Sequence, residues 1–566
     1  MKNLNYLIWV FLIFSLLLNQ SCKENDLISS TNDVRDLVNK NGRISIDQVA
    51  KKELDQEMIL GEKLKIPYEI KNVRKVHDSL KIIDKSFKPF NIKENYYYVR
   101  FKPKNIEEYD TINNDSTLNT FNHPLDYQVI KNGSKYRDKE LSDKDIEYIY
   151  CVIPANNSKY DKVKYEILEK LYIPFGSGGK DEMSKNLEKN LDRNLMKLDV
   201  EILEATGYKD KTKKAKISNW TPVGHIRVAN AFGSNNFVAV QGCKVRTTRA
   251  LVITHSGITN TEGLYIINHT YNGNNQATYD IKWERDDYDI RSGNYVQAYT
   301  NGPNQSGGWN LNIVSNAYLS YLYAWANNAA NYYYYSSHVM GIQAPPRTSP
   351  RPPVAGVVSL LLPQRMKIGV AIDSSPIPSH YFDFNSAWFA AQIAVRIENS
   401  ANPQRIFEVT CHELGHASHW SLGYTTADYV VGANFNRKYA ESWAQCIGWF
   451  ATAKYFSPNR YVNFNNIIFP QNVNFNVYPG GGQQQNPLAF WQGDQRYYTP
   501  AFIDLIDNFQ LALPETASNY TLGQLEASVA RRPKNWHQIR DQIFNDYPTN
   551  PSRNQVITIF NTYRPQ

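Results

Sequence analysis

Residues 402–423 read Asn-Pro-Gln-Arg-Ile-Phe-Glu-Val-Thr-Cys-His-Glu-Leu-Gly-His-Ala-Ser-His-Trp-Ser-Leu-Gly. Asn402 is a helix cap and Pro403 suits a first helical turn, where its missing N–H costs nothing. Ile406, Phe407, Val409 and Leu414 supply an apolar side, and Gly423 supplies the stop. The helix therefore carries His412 and His416 four residues apart on one face, where both imidazoles can reach a single ion. Glu413 stands beside them. A divalent metal at such a pair makes a water acidic, and a neighbouring carboxylate can take the proton as the water adds to a carbonyl group. Gly415 is expected to leave space behind the metal.

A catalytic zinc takes a third protein ligand. A metzincin would need His or Asp six residues after His416, where Leu422 stands, and a methionine turn downstream. The last methionine is Met366, so that reading fails. His419 is one turn further along the same helix, a strained place for a third ligand. Glu441 lies in Tyr439-Ala440-Glu441-Ser442-Trp443-Ala444-Gln445. Ala440, Trp443, Ala444, Ile447 and Phe450 make that a second buried helix. A buried carboxylate is expensive unless paired or ligated. His419 and Glu441 both stand as candidates.

The pattern HExxH followed by a glutamate on a second helix resembles the gluzincin superfamily of zinc metallopeptidases. The resemblance implies His412, His416 and Glu441 as zinc ligands and Glu413 as general base. It also implies a zincin-like catalytic domain over 310–566 with a helical C-terminal subdomain. Many gluzincins place an aspartate four residues after the ligand glutamate; here that position is Gln445. They also use a downstream Tyr or His to stabilise the oxyanion; Tyr498 and Tyr497 are best placed in sequence order, Tyr498 foremost, with His537 and Tyr439 as weaker candidates. Trp388-Phe389 and the apolar run to Ile397 suit either an edge strand beside the substrate or an internal strand.

The amino terminus carries Lys2, then an apolar run from Tyr6 to Leu18 broken by Ser15 alone. That is too short to span a bilayer and suits a signal peptide. Ser21-Cys22 follows, so residues 1–21 resemble a bacterial lipoprotein signal. The resemblance implies lipidation of Cys22 and an extracytoplasmic place in the cell envelope or on the outer-membrane surface. The other cysteines, Cys151, Cys243, Cys411 and Cys446, fit no metal spacing and read as buried free thiols, with a Cys411–Cys446 bridge as the alternative.

Charge divides the 566 residues. Residues 1–218 hold 38 Lys+Arg and 34 Asp+Glu, which leaves 62−38=24 and 54−34=20 for 219–566. Each part nets +4, so neither is a basic arm and no nucleic-acid partner is expected. The change in charge density predicts different domains on its two sides. Residues 22–90 read as a tether and helical segment. Tyr96–Phe101, Tyr148–Ile153 and Val163–Pro174 read as strands of a small α/β domain within 91–218, followed by an amphipathic helix over 181–206 and a linker at Lys209–Lys216.

Period-two strands are expected at Ile226–Val228, Phe237–Val240, Cys243–Arg246 and Leu251–Ile253. Thr261-Glu262-Gly263-Leu264-Tyr265 resembles a step of carboxypeptidase regulatory-like β-sandwich domains, which implies such a module over 219–300 with Gly263 in a turn and Tyr265 in the core. Residues 294–310 read as a Gly/Asn/Pro loop, Ser315–Tyr335 as a helix whose aromatic stripe is core, and Pro345–Pro353 as a linker. Met366–Ile372 suits a strand. Helices are expected at Phe502–Leu511, Leu522–Ala530 and Trp536–Phe544. The fold class is multidomain α+β. The function expected is that of a lipid-anchored zinc metallopeptidase acting on protein or peptide substrates. A binding lipoprotein with a degenerate metal site and a glycoprotein-directed peptidase are the competing readings.

Overall fold

The computed structural model describes residues 57–142, 145–156, 158–174, 189–208, 219–231, 233–271, 275–293, 296–347, 365–372, 380–381, 392–397, 401–424, 437–456, 499, 501–506 and 519–563. The stretch read as a signal, with Cys22, the stretch Lys209–Lys216 read as a linker, most of Pro345–Pro353, Trp388-Phe389, Tyr497 and Tyr498 lie outside them. The chain is a mixed α+β protein that divides into two compact units, and the division falls between Tyr323 and Ala324.

The first unit begins with β1 (Ile59–Lys63) and α1 (Ile70–Ile83), continues through β2 (Tyr96–Phe101), α2 (Ile106–Asn113), β3 (Tyr127–Lys131), β4 (Ile149–Pro154) and β5 (Tyr165–Leu171), and reaches α3 (Lys189–Ala205). The aromatic strand β2 is central in an antiparallel sheet, between β4 and β5. β1 pairs with β3, so the stretch read as a tether contains a strand. Helix α1 buries Val73, Val76, His77 and Leu80, and α3 buries Leu195, Leu198, Ile202 and Leu203.

Strands β6 (Val223–Ala229), β7 (Phe237–Ala239), β8 (Lys244–Arg249), β9 (Ile253–Ile258), β10 (Leu264–Ile266), β11 (Ala277–Lys282), β12 (Tyr288–Ser292), β13 (Val296–Gln297), β14 (Tyr299–Gln305) and β15 (Leu311–Ile313) follow. One sheet runs β10-β6-β15 with β7 also on β6; another runs β14-β11-β8-β9. Gly263 turns at φ +74° and Tyr265 is fully buried. The Tyr265 ring meets Tyr279 of the other sheet edge-on at 6.5 Å, and its hydroxyl donates to the Trp309 carbonyl at 2.9 Å.

Two expectations are corrected in these sheets. The run Leu251–Ile253 is not a strand of its own: Ala250 and Leu251 have φ of +49° and +72° and form the β8–β9 turn with Val252, and Ile253 opens β9 by pairing with Arg249. The apolar side chains that suggested a strand instead join the core under α1 and α3. Within the stretch read as a loop over 294–310, Val296–Gln297 and Tyr299–Gln305 are strands, and β14 pairs with β11 along the sheet edge. Its proline, Pro303, sits at a register shift, the place where an edge strand tolerates a residue without N–H.

One apolar cluster runs from Tyr68, Val73 and Leu80 through Tyr98 and Leu198 to Ala250, Val252 and Ile253. Tyr68 donates to Asp199 at 2.6 Å, and Arg249 stands 3.4 Å from the same carboxylate. The fall in charge density at residue 219 therefore coincides with no break in the core. Charge density reports how much of each stretch faces water, whereas continuity of the core depends on a few buried side chains.

The second unit begins inside α4 (Tyr318–Met340) and continues with β16 (Met366–Ile372), β17 (His380–Tyr381), β18 (Ile393–Ile397), α5 (Pro403–Ser421), α6 (Arg437–Phe456), α7 (Ala501–Asp504), α8 (Leu522–Val529), α9 (Trp536–Asp546) and α10 (Arg553–Thr562). β18 has β16 parallel on one side and β17 antiparallel on the other, so it is an internal strand. The aromatic stripe of α4 is core: Trp325 meets Phe456 at 5.5 Å, and Tyr332 meets Phe407 at 5.9 Å and Tyr455 at 5.4 Å. Thr521 and Gln524 form a reciprocal capping box on α8. Helix α10, which the sequence reading did not anticipate, buries Val556, Ile559 and Phe560 at helical spacing. Among the described residues no helix is long and apolar enough to cross a membrane.

Candidate metal centre

The site is built on α5 and α6. Asn402 caps α5 by accepting from the Arg405 N–H at 2.8 Å, with Pro403 in the first turn, and Gly423 follows its end at φ +108°. Every residue from Ile406 to Trp420 is buried. A helix hidden on all sides is an interior element rather than a surface one. Helix α6 is buried without interruption from Tyr439 to Ala453.

Two glycines set how closely the helices approach. A Cβ on Gly415 would stand 3.2 Å from Ala444 Cα, and one on Gly448 would stand 3.0 Å from the Glu408 carbonyl oxygen and 3.2 Å from His412 Cβ. Residue 415 faces 444 while 408 and 412 face 448, so the helices run antiparallel. Gly415 thus opens room for α6, not for space behind a metal as the sequence suggested. Gly448 matters as much and was not singled out.

The close crossing brings together three of the expected residues. The ligand atoms of His412, His416 and Glu441 all lie within 4.8 Å of one another, and all three residues are buried. Glu441 Oε2 is 3.1 Å from His416 Nε2 and 3.5 Å from His412 Nε2. The two rings meet edge-on with centroids 4.8 Å apart. Burial pushes the His412 pKa below its ordinary value, against an upward pull from Glu441. For Glu441, burial would raise the pKa, but His416 and His412 outweigh it and hold the carboxyl well below the usual range. A neutral imidazole and an ionised carboxylate are the protonation states that metal ligands need. This buried group can bind a metal ion.

The remaining candidates fall elsewhere. His419 stacks on Tyr424 at 4.1 Å and meets Tyr439 edge-on at 5.0 Å, outside the ligand group. Burial holds its pKa well below the ordinary value. Between the two third-ligand candidates, the geometry brings Glu441 to the histidines. The Tyr439 hydroxyl lies 2.8 Å from that of Tyr424, which donates to the Pro533 carbonyl at 2.9 Å. His537 is exposed on α9. Glu413 is buried on α5 between the two histidines. Cys151, Cys243, Cys411 and Cys446 are buried free thiols, and the Cys411–Cys446 bridge is not formed.

Three features escaped the sequence reading. Gln445 donates its amide to Glu408 Oε1 at 2.7 Å, so it serves a carboxylate of α5. Glu408 itself was passed over, although its place one turn before His412 was legible. Thr499 bonds Ser442, the neighbour of Glu441, through both N–H (2.9 Å) and hydroxyl (3.0 Å).

Comparison of the chain with protein-family models, with curated proteins and with solved structures finds no match in any of the three.

Proposed function

We propose that this chain is a lipid-anchored, extracytoplasmic zinc metallopeptidase of the gluzincin type, with its catalytic part in 310–566 and a carboxypeptidase regulatory-like module in 219–300. The observation that carries the reading is the convergence of His412, His416 and Glu441 at the buried helix crossing. Two imidazole nitrogens and one carboxylate are a donor set that suits zinc. Ligand atoms bonded to one tetrahedral zinc stand about 3.4 Å apart, close to the 3.1 and 3.5 Å separations of Glu441 from the histidines. Burial excludes competing water and strengthens every charge in the site.

When bound, zinc supplies Lewis acidity to a water and to the scissile carbonyl. His412, His416 and Glu441 would hold it. Glu413 is the general base: its carboxylate takes a proton from the attacking water and returns it to the leaving amine. Tyr498 is the proposed oxyanion donor. The bonds from Thr499 to Ser442 support this role, since they bring the chain at 499 to the turn that carries Glu441. The substrate is a protein or peptide, the membrane is engaged through lipidated Cys22, and no nucleic acid is involved.

The test is cleavage of a proteome-derived peptide library by the full-length mature chain, with mass-spectrometric readout. Zinc-dependent new termini, lost with a chelator and absent for His412→Ala, are the expected result. A zinc-loaded wild type that yields no cut peptide contradicts the peptidase reading.

A further inference from the structure

Glu408 is a buried carboxylate, 3% exposed, that no part of the proposed mechanism uses. Such a group is costly to bury unless it is hydrogen-bonded or paired. Its place is specific. It lies four residues before His412 on α5, on the same helical face, and helical side chains lean toward the N-terminus, which inclines the His412 ring toward its turn. Gly448 lets the α6 backbone press on this turn, against the Glu408 carbonyl and His412 Cβ. Gln445, also on α6 and one turn after Glu441, fixes the carboxylate from the other side at 2.7 Å. Glu408 and Glu441 thus flank His412, and the charge of each acts on its ring.

His412 presents Nε2 to Glu441. Ligation through Nε2 requires that nitrogen to be bare, which places the ring proton on Nδ1, and an acceptor there fixes both tautomer and ring orientation. A carboxylate can accept from more than one donor, so the bond from Gln445 does not use up Glu408. We propose that Glu408 is a positioning residue of the metal centre: held by Gln445, its carboxylate takes the Nδ1 hydrogen of His412 when metal is bound. The proposal rests on the zinc reading given above. It also accounts for an amide at Gln445, because a carboxylate there would face Glu408 with like charge.

The experiment measures zinc affinity of the full-length chain by competition with a chromophoric chelator, for wild type, Glu408→Gln and the double variant Glu408→Gln/Gln445→Glu. Glu408→Gln is expected to bind zinc roughly 10- to 100-fold more weakly, with the melting temperature of the metal-free protein unchanged. The double variant, which returns a carboxylate to the pair from the other helix, is expected to recover part of that loss. Histidine ¹⁵N spectra of zinc-loaded wild type provide a readout that a merely structural bond would not move: His412 is expected to show a protonated Nδ1. Wild-type affinity in Glu408→Gln, or zinc on Nδ1 of His412, overturns the proposal. If Glu408→Gln does not fold, the wild-type spectrum alone decides. A wild type that binds no zinc refutes the metal reading and the proposal with it, an outcome distinct from a wild type that binds zinc with or without Glu408.

Discussion

Both units bury charge, and they do so in opposite ways. In the first, Arg246 grips Asp280 with two bonds of 2.6 and 2.8 Å, and Arg291 grips Asp289 at 2.7 and 2.8 Å while reaching Asp110 at 3.0 Å. Glu284 meets Lys244 at 2.7 Å and Lys282 at 3.0 Å. Four cations (Lys244, Arg246, Lys282, Arg291) face four anions (Asp110, Asp280, Glu284, Asp289), so the set is neutral within itself. In the second unit Glu441 faces two imidazoles, and burial pushes the pKa of one, His412, below its ordinary value. Two neutral imidazoles and a carboxylate, the states that metal ligands need, would together carry a net −1 that a dication would offset. The first arrangement holds a fold together; the second has the composition of a ligand site. Burial of charge alone does not separate the two, whereas the chemical type of the partner does.

That contrast predicts that removing a charge should cost activity in one unit and stability in the other. The largest effect belongs to Glu413. Glu413→Gln is expected to lower the rate of peptide hydrolysis by roughly 10²–10⁴-fold while zinc content and melting temperature stay at wild-type values; steady-state kinetics beside elemental analysis checks this. Arg291→Met is the counterpart. It leaves Asp289 and Asp110 buried without their guanidinium, and a loss on the order of 3–5 kcal/mol is expected in urea unfolding. The zinc site should be unaltered in whatever fraction remains folded.

Gly448→Ala should produce a smaller effect of mixed kind. The added methyl meets backbone at 3.0 Å, and forcing the helices apart is expected to cost about 1–3 kcal/mol. Because the crossing also sets the ligand distances, zinc affinity should fall with it. Wild-type affinity in a destabilised Gly448→Ala would break the link drawn between packing and site.

The smallest effect concerns Glu526, which accepts from the Gln343 N–H at 3.1 Å. Burial pushes its pKa up to about 7, partly opposed by that bond. The folded state therefore holds a proton that the unfolded chain releases near the ordinary glutamate value. Folded molecules bind more protons between about pH 4.5 and 7, so this group's contribution to stability falls as pH rises through that window. Glu526→Gln should remove that slope and melt higher than wild type above pH 7, as thermal scans at pH 5 and 8 would show.

Much of the site was legible because short-range rules govern it. His412, Glu413 and His416 share one helix whose cap and stop are written at Asn402, Pro403 and Gly423. Glu441 could be picked out because a carboxylate in a run of Ala, Trp and Ile needs a partner. The helix crossing was less legible: Gly415 was noticed for the wrong reason and Gly448 missed, since both act through contacts between distant segments. The same limit explains β14, whose Asn-Gly-Pro sequence has weak strand character and is held by pairing with β11. It also explains the core that runs past residue 219. Helix α10 was missed because Val556, Ile557, Thr558 and Ile559 are β-branched, and burial against α9 overrides their preference.

The central claim is that His412, His416 and Glu441 form one metal site, and the most direct test is zinc stoichiometry by elemental analysis of the purified full-length chain after metal loading and desalting. The account predicts about one zinc per wild-type chain and a marked loss in both His412→Ala and Glu441→Ala. Wild-type zinc content in Glu441→Ala, or no zinc in the wild type itself, would contradict it.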